Sequence, residues 1–465
     1  MTYSQAIQFL YDLRWFGAKL GLENTFKLAA LAGNPQNQLR FIHVAGTNGK
    51  GSTCAMLESI YRAAGLRVGL FTSPHLVSFR ERIQVNRQLI SEADVMRLAA
   101  KLRERCSAGF QPAGYAGIPA RSSETGGKDA ARTRTQDACA TFQPTFFEFI
   151  TIMALCHFAE QKCDLVIWET GLGGRMDATN IVTPLASVIT NIQLDHQQWL
   201  GNTIGQIAAE KAGIIKPGVP VLTAANEPEA LEVIERTARE QNAPLFKVGQ
   251  ASRLSWAGGT PALPLLGEHQ QLNAALAVAT VGVLQNQVPV SEAAIGKGLS
   301  TVNWPGRLQL GTRPDGQKVL LDAAHNLAGA EILATALKKY FPTEPPTLVL
   351  GILRDKDWPA MCARLAPLAA RIVTVAVGSE RTATTVELAA ACHAANPTAE
   401  VIECASFAEA TKMIARDAFV VITGSLYLIG EALEWLGLYP EVGASERALN
   451  EWGGAKNDPI NAPMR

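Results

Sequence analysis

Residues 43–53 read His43-Val44-Ala45-Gly46-Thr47-Asn48-Gly49-Lys50-Gly51-Ser52-Thr53. An apolar run, Phe41 to Ala45, breaks into a glycine-rich turn; a lysine follows, and the pattern then turns helical over 52–64. No other feature of the chain constrains the fold as much. In a strand–glycine loop–lysine–helix unit, backbone N–H groups line the turn, the helix N-terminus adds its dipole and the lysine adds a point charge. The product is a phosphate cradle. The common form is G-x-x-x-x-G-K-[ST]. Here valine stands at 44 where the first glycine belongs, and Gly51 separates Lys50 from the first hydroxyl. The loop therefore points to phosphate in a variant form.

Strand-like and helix-like segments alternate around this loop. Strands are expected at 41–45, 67–71, 164–169, 186–191 and 219–223, with helices at 52–64, 146–160 and 204–213. A second series has strands at 318–322, 347–351, 371–377 and 419–423 and helices at 328–340, 359–369 and 385–394. Such alternation predicts an α/β fold with largely parallel sheets. Proline and glycine in Asn303-Trp304-Pro305-Gly306 mark a joint. The expected division is a nucleotide-binding domain over 1–303, a smaller α/β domain over 304–440 and a loose polar tail over 441–465. Residues 106–144 are rich in Gly, Ala, Ser, Thr, Arg and Pro and read as a mobile surface insertion.

Composition excludes several classes. Lys+Arg and Asp+Glu are both 42, so no basic field exists to attract nucleic acid. No apolar run approaches the roughly 18 residues of a membrane span, and the N-terminus reads as an amphipathic helix rather than a signal peptide. The eight cysteines form no C-x-x-C pair, which fits reduced thiols in a cytoplasmic protein better than a metal cluster.

In an open parallel sheet, ligands bind outside the carboxyl ends of the strands. Those ends deliver Lys50, then Ser73 in Thr72-Ser73-Pro74-His75, then Glu169 ahead of Gly171-Leu172-Gly173-Gly174-Arg175-Met176-Asp177, then Asp195-His196. The set suits magnesium-assisted nucleotide chemistry, because magnesium takes few protein oxygens and bridges phosphates. A serine before proline is equally a turn residue, and an Asp-His pair is equally a solvated turn. Glu169 differs: a carboxylate directly after Leu165-Val166-Ile167-Trp168 is costly unless paired or liganded. Lys211, between Glu210 and Ala212, reads from spacing alone as a surface charge. In the second series a strand ends in Asp322-Ala323-Ala324-His325-Asn326, and Arg307 follows the joint, where it serves either as a phosphate clamp or in an interface salt bridge.

Together these residues carry a family pattern. The chain resembles the bacterial folate ligases of the Mur ligase superfamily through ordered blocks that include HVAGTNGKGST (43–53), TSPHLVSFRERIQVN (72–86), PTFFEF (144–149), ETGLGGRMDATN (169–180), LDHQQWLG (194–201), EKAGIIKPG (210–218), GEHQQLNAALA (267–277), WPGRLQ (304–309), DAAHN (322–326), GILRDKD (351–357) and GSLYLIGE (424–431). The resemblance implies a P-loop-type parallel sheet domain, like the central domain of Mur ligases, followed by a smaller Rossmann-like domain. It implies that Thr47, Asn48, Gly49, Lys50, Gly51 and Ser52 hold ATP phosphates, with Asn273, Arg307 and Asp322 completing the ATP site and His325 close by. Ser73, Glu169 and His196 would serve two magnesium ions, a monovalent cation being a further candidate. Lys211 matches a lysine that CO₂ carbamylates, which displaces the surface reading. Thr145, Phe146, Phe147, Glu148, Met176, Asp177 and Ala178 match positions that contact the pterin of dihydropteroate.

Three features depart from the pattern: Leu327 replaces a usual proline, Met176 a common leucine, and the 106–144 insertion is long. The implied activity is ATP-dependent ligation of L-glutamate to 7,8-dihydropteroate and to reduced folates by a cytoplasmic monomer, with no nucleic-acid or membrane partner. Alternatives are a monofunctional folylpolyglutamate synthase, a peptidoglycan Mur-type ligase and a non-enzymatic nucleotide switch.

Overall fold

A computed structural model describes residues 1–16, 21–108, 144–249, 263–439, 446 and 449–450. Two sheets organise it. The first contains β1 (Phe41–Ala45), β2 (Val68–Phe71), β3 (Ile83–Val85), β4 (Gln88–Leu89), β5 (Leu165–Glu169), β6 (Ala186–Ile189), β7 (Val221–Thr223) and β8 (Leu245–Lys247), in the order β4-β3-β2-β5-β1-β6-β7-β8. All its pairings are parallel except β2–β3 and β3–β4. The second contains β9 (Gln309–Thr312), β10 (Lys318–Asp322), β11 (Thr347–Leu350), β12 (Arg371–Val375), β13 (Glu400–Cys404) and β14 (Phe419–Thr423), in the order β13-β12-β11-β14-β10-β9. Only β9 runs antiparallel there.

The α/β class and parallel character follow the expectation. The strands that the sequence pattern missed are β3, β4, β8, β9 and β13. Four of them, β4, β8, β9 and β13, end the sheets and are largely half-buried or exposed, and β3 sits beside an end. An edge strand carries little of the apolar run that marks a buried one.

Burial on both faces explains why the central strands read as continuous apolar runs. In β5, Leu165 and Ile167 pack into one core with Ile42, Val44 and Leu70; Val166 and Trp168 pack into the opposite core with Phe41 and Phe71. Side chains alternate along a strand, so Glu169 falls on the Leu165–Ile167 face, above the helix Lys50–Ala63. Each fully buried Leu, Ile or Phe contributes about 1.5–3 kcal/mol, so these two layers set the strand register.

The chain leaves β1 toward β2 on one side of it and later builds β6, β7 and β8 on the other. That reversal opens a crevice at the carboxyl ends of β1, β5 and β6.

Two segment expectations change. The insertion expected over 106–144 begins later, because the helix Glu92–Ala108 runs through its first residues; 109–143 lie outside the described residues. The polar tail expected over 441–465 is not loose where it is described. Glu446 and Leu449 are buried, and Leu449 belongs to the core that contains Phe146 and Phe149. A leucine flanked by a polar sequence gave no periodic signal. Among the described residues, no helix is long and apolar enough to cross a membrane.

Candidate active site

The glycine loop leaves β1 at Gly46 and enters the helix Lys50–Ala63 at Gly49. Both glycines have positive φ, 147° and 83°. A Cβ at Gly46 would lie 1.9 Å from Thr190 Oγ1, and one at Gly49 would lie 2.6 Å from Asn273 Oδ1. Close backbone approach therefore requires glycine at both. The end of β6 anchors the loop tip. Thr47 N donates to Asn191 O at 2.8 Å, Asn48 N to Asn191 Oδ1 at 2.7 Å, and Gln193 N to Thr47 Oγ1 at 3.0 Å.

Two lysines meet over this loop. Lys50 Nζ donates to the Gly46 and Thr47 carbonyls at 3.0 and 3.1 Å. Lys211 Nζ donates to the same Gly46 carbonyl at 2.9 Å. Lys211 is buried at the end of the helix Ile204–Ala212. Burial first, and then the Lys50 charge, brings its pKa down to about 7. A surface lysine would show neither feature.

Glu169 accepts from Ser73 N at 2.9 Å. Burial pushes its pKa up to about 7, against the pull of Lys50 and the Ser73 amide. Ser73 Oγ is buried and has no hydrogen-bond partner among the described residues. An orphaned hydroxyl beside a buried carboxylate fits a hard cation with oxygen ligands. Among the described residues no three His, Cys, Asp or Glu side chains form a metal cage, so phosphate or water would complete any such shell.

The second sheet faces this loop. Asp322, at the end of β10, accepts from Leu308 N at 2.8 Å and Ala324 N at 3.0 Å, while burial raises its pKa. Arg307 donates to Gly306 O at 3.0 Å and has no carboxylate ion-pair partner among the described residues, which removes the interface salt-bridge reading. His325 Nδ1 lies 2.8 Å from the Ala323 carbonyl. A carbonyl only accepts, so Nδ1 carries the proton and Nε2 keeps its lone pair. Burial lowers the His325 pKa to about 4, so the ring is neutral.

A polar seam joins the two sheets. Lys356 Nζ bonds Asp195 Oδ1 at 2.6 Å, and Asn326 Nδ2 donates to Asp195 Oδ2 at 3.0 Å and to Asn48 Oδ1 at 3.2 Å. The Asp195 and Lys356 side chains are each only 9% exposed, so Asp195 does not sit in a solvated turn, while the His196 side chain is 33% exposed.

At the far end of the cleft the side chains mostly serve one another. Thr145 caps the helix Phe146–Glu160: Glu148 N donates to Thr145 Oγ1 at 3.3 Å, and Thr145 N donates to Glu148 Oε2 at 2.7 Å. Asp177 accepts from Leu172 N at 2.7 Å and Thr179 N at 3.0 Å and so shapes its own turn. Phe147 packs against Phe71 and Gly171, and Met176 is partly exposed.

All the residues singled out from sequence line one cavity of ≈ 360 Å³. They are Thr47, Asn48, Gly49, Lys50, Gly51, Ser52, Ser73, Thr145, Phe146, Phe147, Glu148, Glu169, Met176, Asp177, Ala178, His196, Lys211, Asn273, Arg307, Asp322 and His325. Within it Ser52 Oγ accepts from Gln270 Nε2 at 3.2 Å, and Asn273 Nδ2 donates to Gln270 Oε1 at 3.0 Å. Sequence reasoning missed Arg82, Gln270, Lys356 and Asn450, which line the same cavity. Arg82, Gln270 and Lys356 sit inside quoted blocks, so a signal was present; Asn450 had none.

Comparison with known proteins matches residues 306–426 to the Mur ligase, glutamate ligase domain. The dihydrofolate synthase/folylpolyglutamate synthase of Bacillus subtilis (strain 168) is 37% identical over 92% of this chain and 98% of its own length. The Escherichia coli protein FolC, solved with DHPP and ADP, superposes with a TM-score of 0.77 at 30% identity, covering 94% of this chain and 98% of that one. Mycobacterium tuberculosis folylpolyglutamate synthase complexed with ADP gives a TM-score of 0.80 at 29% identity, covering 94% and 100%. The chain belongs to the dihydrofolate synthase/folylpolyglutamate synthase family, ATP-dependent glutamate ligases of the Mur ligase superfamily.

Proposed function

We propose that this chain joins L-glutamate to 7,8-dihydropteroate, giving dihydrofolate, and to reduced folates, extending a polyglutamate tail. The observation that carries the reading is the paired lysines at Gly46, facing a buried carboxylate at one end of a cleft whose other end is aromatic. Relatives solved with DHPP and ADP, and with AMPPCP and folate, support the same occupants.

A carboxylate is a poor acylating agent and must be activated. The acceptor carboxylate attacks the ATP γ-phosphorus, the bond to the β,γ-bridging oxygen breaks, and ADP leaves an acyl phosphate. The glutamate amine then attacks the acyl carbon, and inorganic phosphate leaves through a tetrahedral intermediate. Loop N–H groups and Lys50 hold the phosphates and spread the charge of the in-line transfer. Arg307, half-buried and without a carboxylate ion-pair partner among the described residues, is available as a planar fork for phosphate oxygens. His325, neutral with a free Nε2 lone pair, takes a proton from the attacking amine. The seam through Asp195 holds the second sheet over the loop, which keeps water from the acyl phosphate.

Ser73, Glu169 and His196 would hold magnesium, which when bound supplies charge neutralisation at the phosphates. At a pKa of about 7 the Lys211 amine is neutral often enough to attack CO₂, giving a carbamate and releasing one proton. The resulting anion would stand beside the metal site. The enzyme is proposed to act as a monomer in the cytoplasm.

The test supplies Mg-ATP and L-glutamate with either dihydropteroate or a reduced folate and measures ADP release. Turnover with both acceptors is expected. No ADP release with dihydropteroate removes the synthase half and leaves a monofunctional folylpolyglutamate synthase.

A further inference from the structure

Three described residues that follow the second sheet in sequence, Glu446, Leu449 and Asn450, lie against the first. The helix Leu426–Trp435 closes the second sheet's fold, yet Glu446, Leu449 and Asn450 dock beside β3 and the helix Phe146–Glu160. The Glu446 carboxylate accepts from Ser78 Oγ and Phe79 N, both at 2.9 Å. Its backbone carbonyl accepts from His75 Nε2 at 2.9 Å and from Leu449 N at 3.1 Å. Asn450 Nδ2 donates to the His75 carbonyl at 2.9 Å, and its Oδ1 accepts from Arg82 Nη2 at 2.7 Å.

These bonds fix one proton arrangement. Arg82 Nε donates to His75 Nδ1 at 2.9 Å, so His75 must carry its proton on Nε2, the atom that meets the Glu446 carbonyl. Arg82 is 4% exposed, lies over the Phe146 ring at 5.4 Å, and has no carboxylate ion-pair partner among the described residues. Glu81 and Glu169 act on this guanidinium without forming an ion pair with it among the described residues, and its burial has already removed most of its water. The guanidinium is poised to donate to an oxygen that enters the cleft. Arg82, Leu449, Asn450, Thr145 and Phe146 all line that cleft.

We infer that Leu449 and Asn450 form a wall of the acceptor site, and that Asn450, with Glu446 bonded to His75, Ser78 and Phe79 behind it, positions Arg82 toward an oxygen of the pterin acid. The inference rests on the acceptor class proposed above. It gives the C-terminal segment a part in selecting the acceptor and none in holding ATP.

The test uses the full chain and follows ADP release while dihydropteroate and ATP are titrated separately. N450A and E446A are expected to raise the KM for dihydropteroate about ten-fold and to leave the KM for ATP within about two-fold. E446Q keeps an oxygen for Ser78 and Phe79 and should stay within about three-fold of the parent. An unchanged dihydropteroate KM in N450A overturns the inference. So does a parallel rise in both KM values together with a lower melting temperature, since that reports a merely structural strap. Should E446A fail to fold, N450A carries the test, because Asn450 is only partly buried. A parent enzyme that releases no ADP with any pterin acceptor defeats the proposed function instead, an outcome read before any variant is made.

Discussion

The two ends of the cleft are built on opposite plans. At the nucleotide end, groups that could serve a ligand are left facing one another or unsatisfied: Lys50 and Lys211 crowd one carbonyl, Glu169 is buried with a raised pKa, and Ser73 Oγ has no partner among the described residues. At the acceptor end, the polar groups largely satisfy each other: Thr145 with Glu148 in a helix cap, Asp177 within its turn, and Arg82 with His75 and Asn450. One end stores electrostatic tension that the proposed phosphates and cations would relieve. The other supplies a pre-set shape. Substitutions at the first should therefore damage chemistry, and substitutions at the second should damage fit or stability.

The largest expected effect is K50A. It removes the charge proposed to act on the transferring phosphoryl group, so turnover should fall about a thousand-fold, roughly 4 kcal/mol, with little change in melting temperature. ADP-release kinetics and a thermal melt check it together; near-normal turnover would erase the contrast between the two ends.

K356A comes next and probes the seam. It leaves Asp195 as an unpaired, nearly buried carboxylate, which costs about 3 kcal/mol. Denaturant unfolding should show that loss, and D195N on the same background should recover part of it. A loss below about 0.5 kcal/mol would mean that the pair behaves like a surface salt bridge.

K211A should lower turnover about a hundred-fold, with partial rescue by added short carboxylates. The pH dependence gives a second reading. The folded pKa is about 7, so the amine is increasingly neutral above that pH and increasingly protonated below it. Only the neutral amine attacks CO₂, so wild-type turnover at fixed dissolved CO₂ should fall as pH drops through 7. K211A should lose that limb of the profile. Wild-type activity in K211A refutes the role of this lysine.

The smallest effect is T145A, at the acceptor end. Loss of the cap should cost about 1 kcal/mol of stability. Turnover at saturating acceptor should stay within about three-fold. A large turnover defect there would show that the acceptor end also takes part in chemistry.

Much of the fold was legible because the central strands are buried on both faces. Burial forces continuous apolar runs such as Leu165–Trp168, and such runs announce themselves. The edge strands β4, β8, β9 and β13 lack that pressure and left no run to read. Glu169 was legible for the complementary reason, because a carboxylate at the end of an apolar strand requires an explanation. Lys211 was not. Its flanking alanines carry no mark of depth, and its burial depends on how the helix Ile204–Ala212 lies against Gly46, 165 residues away in sequence.

By itself, then, the sequence determined the strand–loop–helix cradle, the parallel α/β class and the polar residues that end each strand. These rest on local pattern and on alternation along single elements. Tertiary structure alone decided which of those residues face one another. It put two lysines on one carbonyl, tied Asp195 to Lys356 across two sheets, and brought a polar C-terminal segment onto Arg82. Electrostatic coupling and hydrogen bonding act through space over a few ångströms, and no local pattern in the chain records which distant residues will come that close.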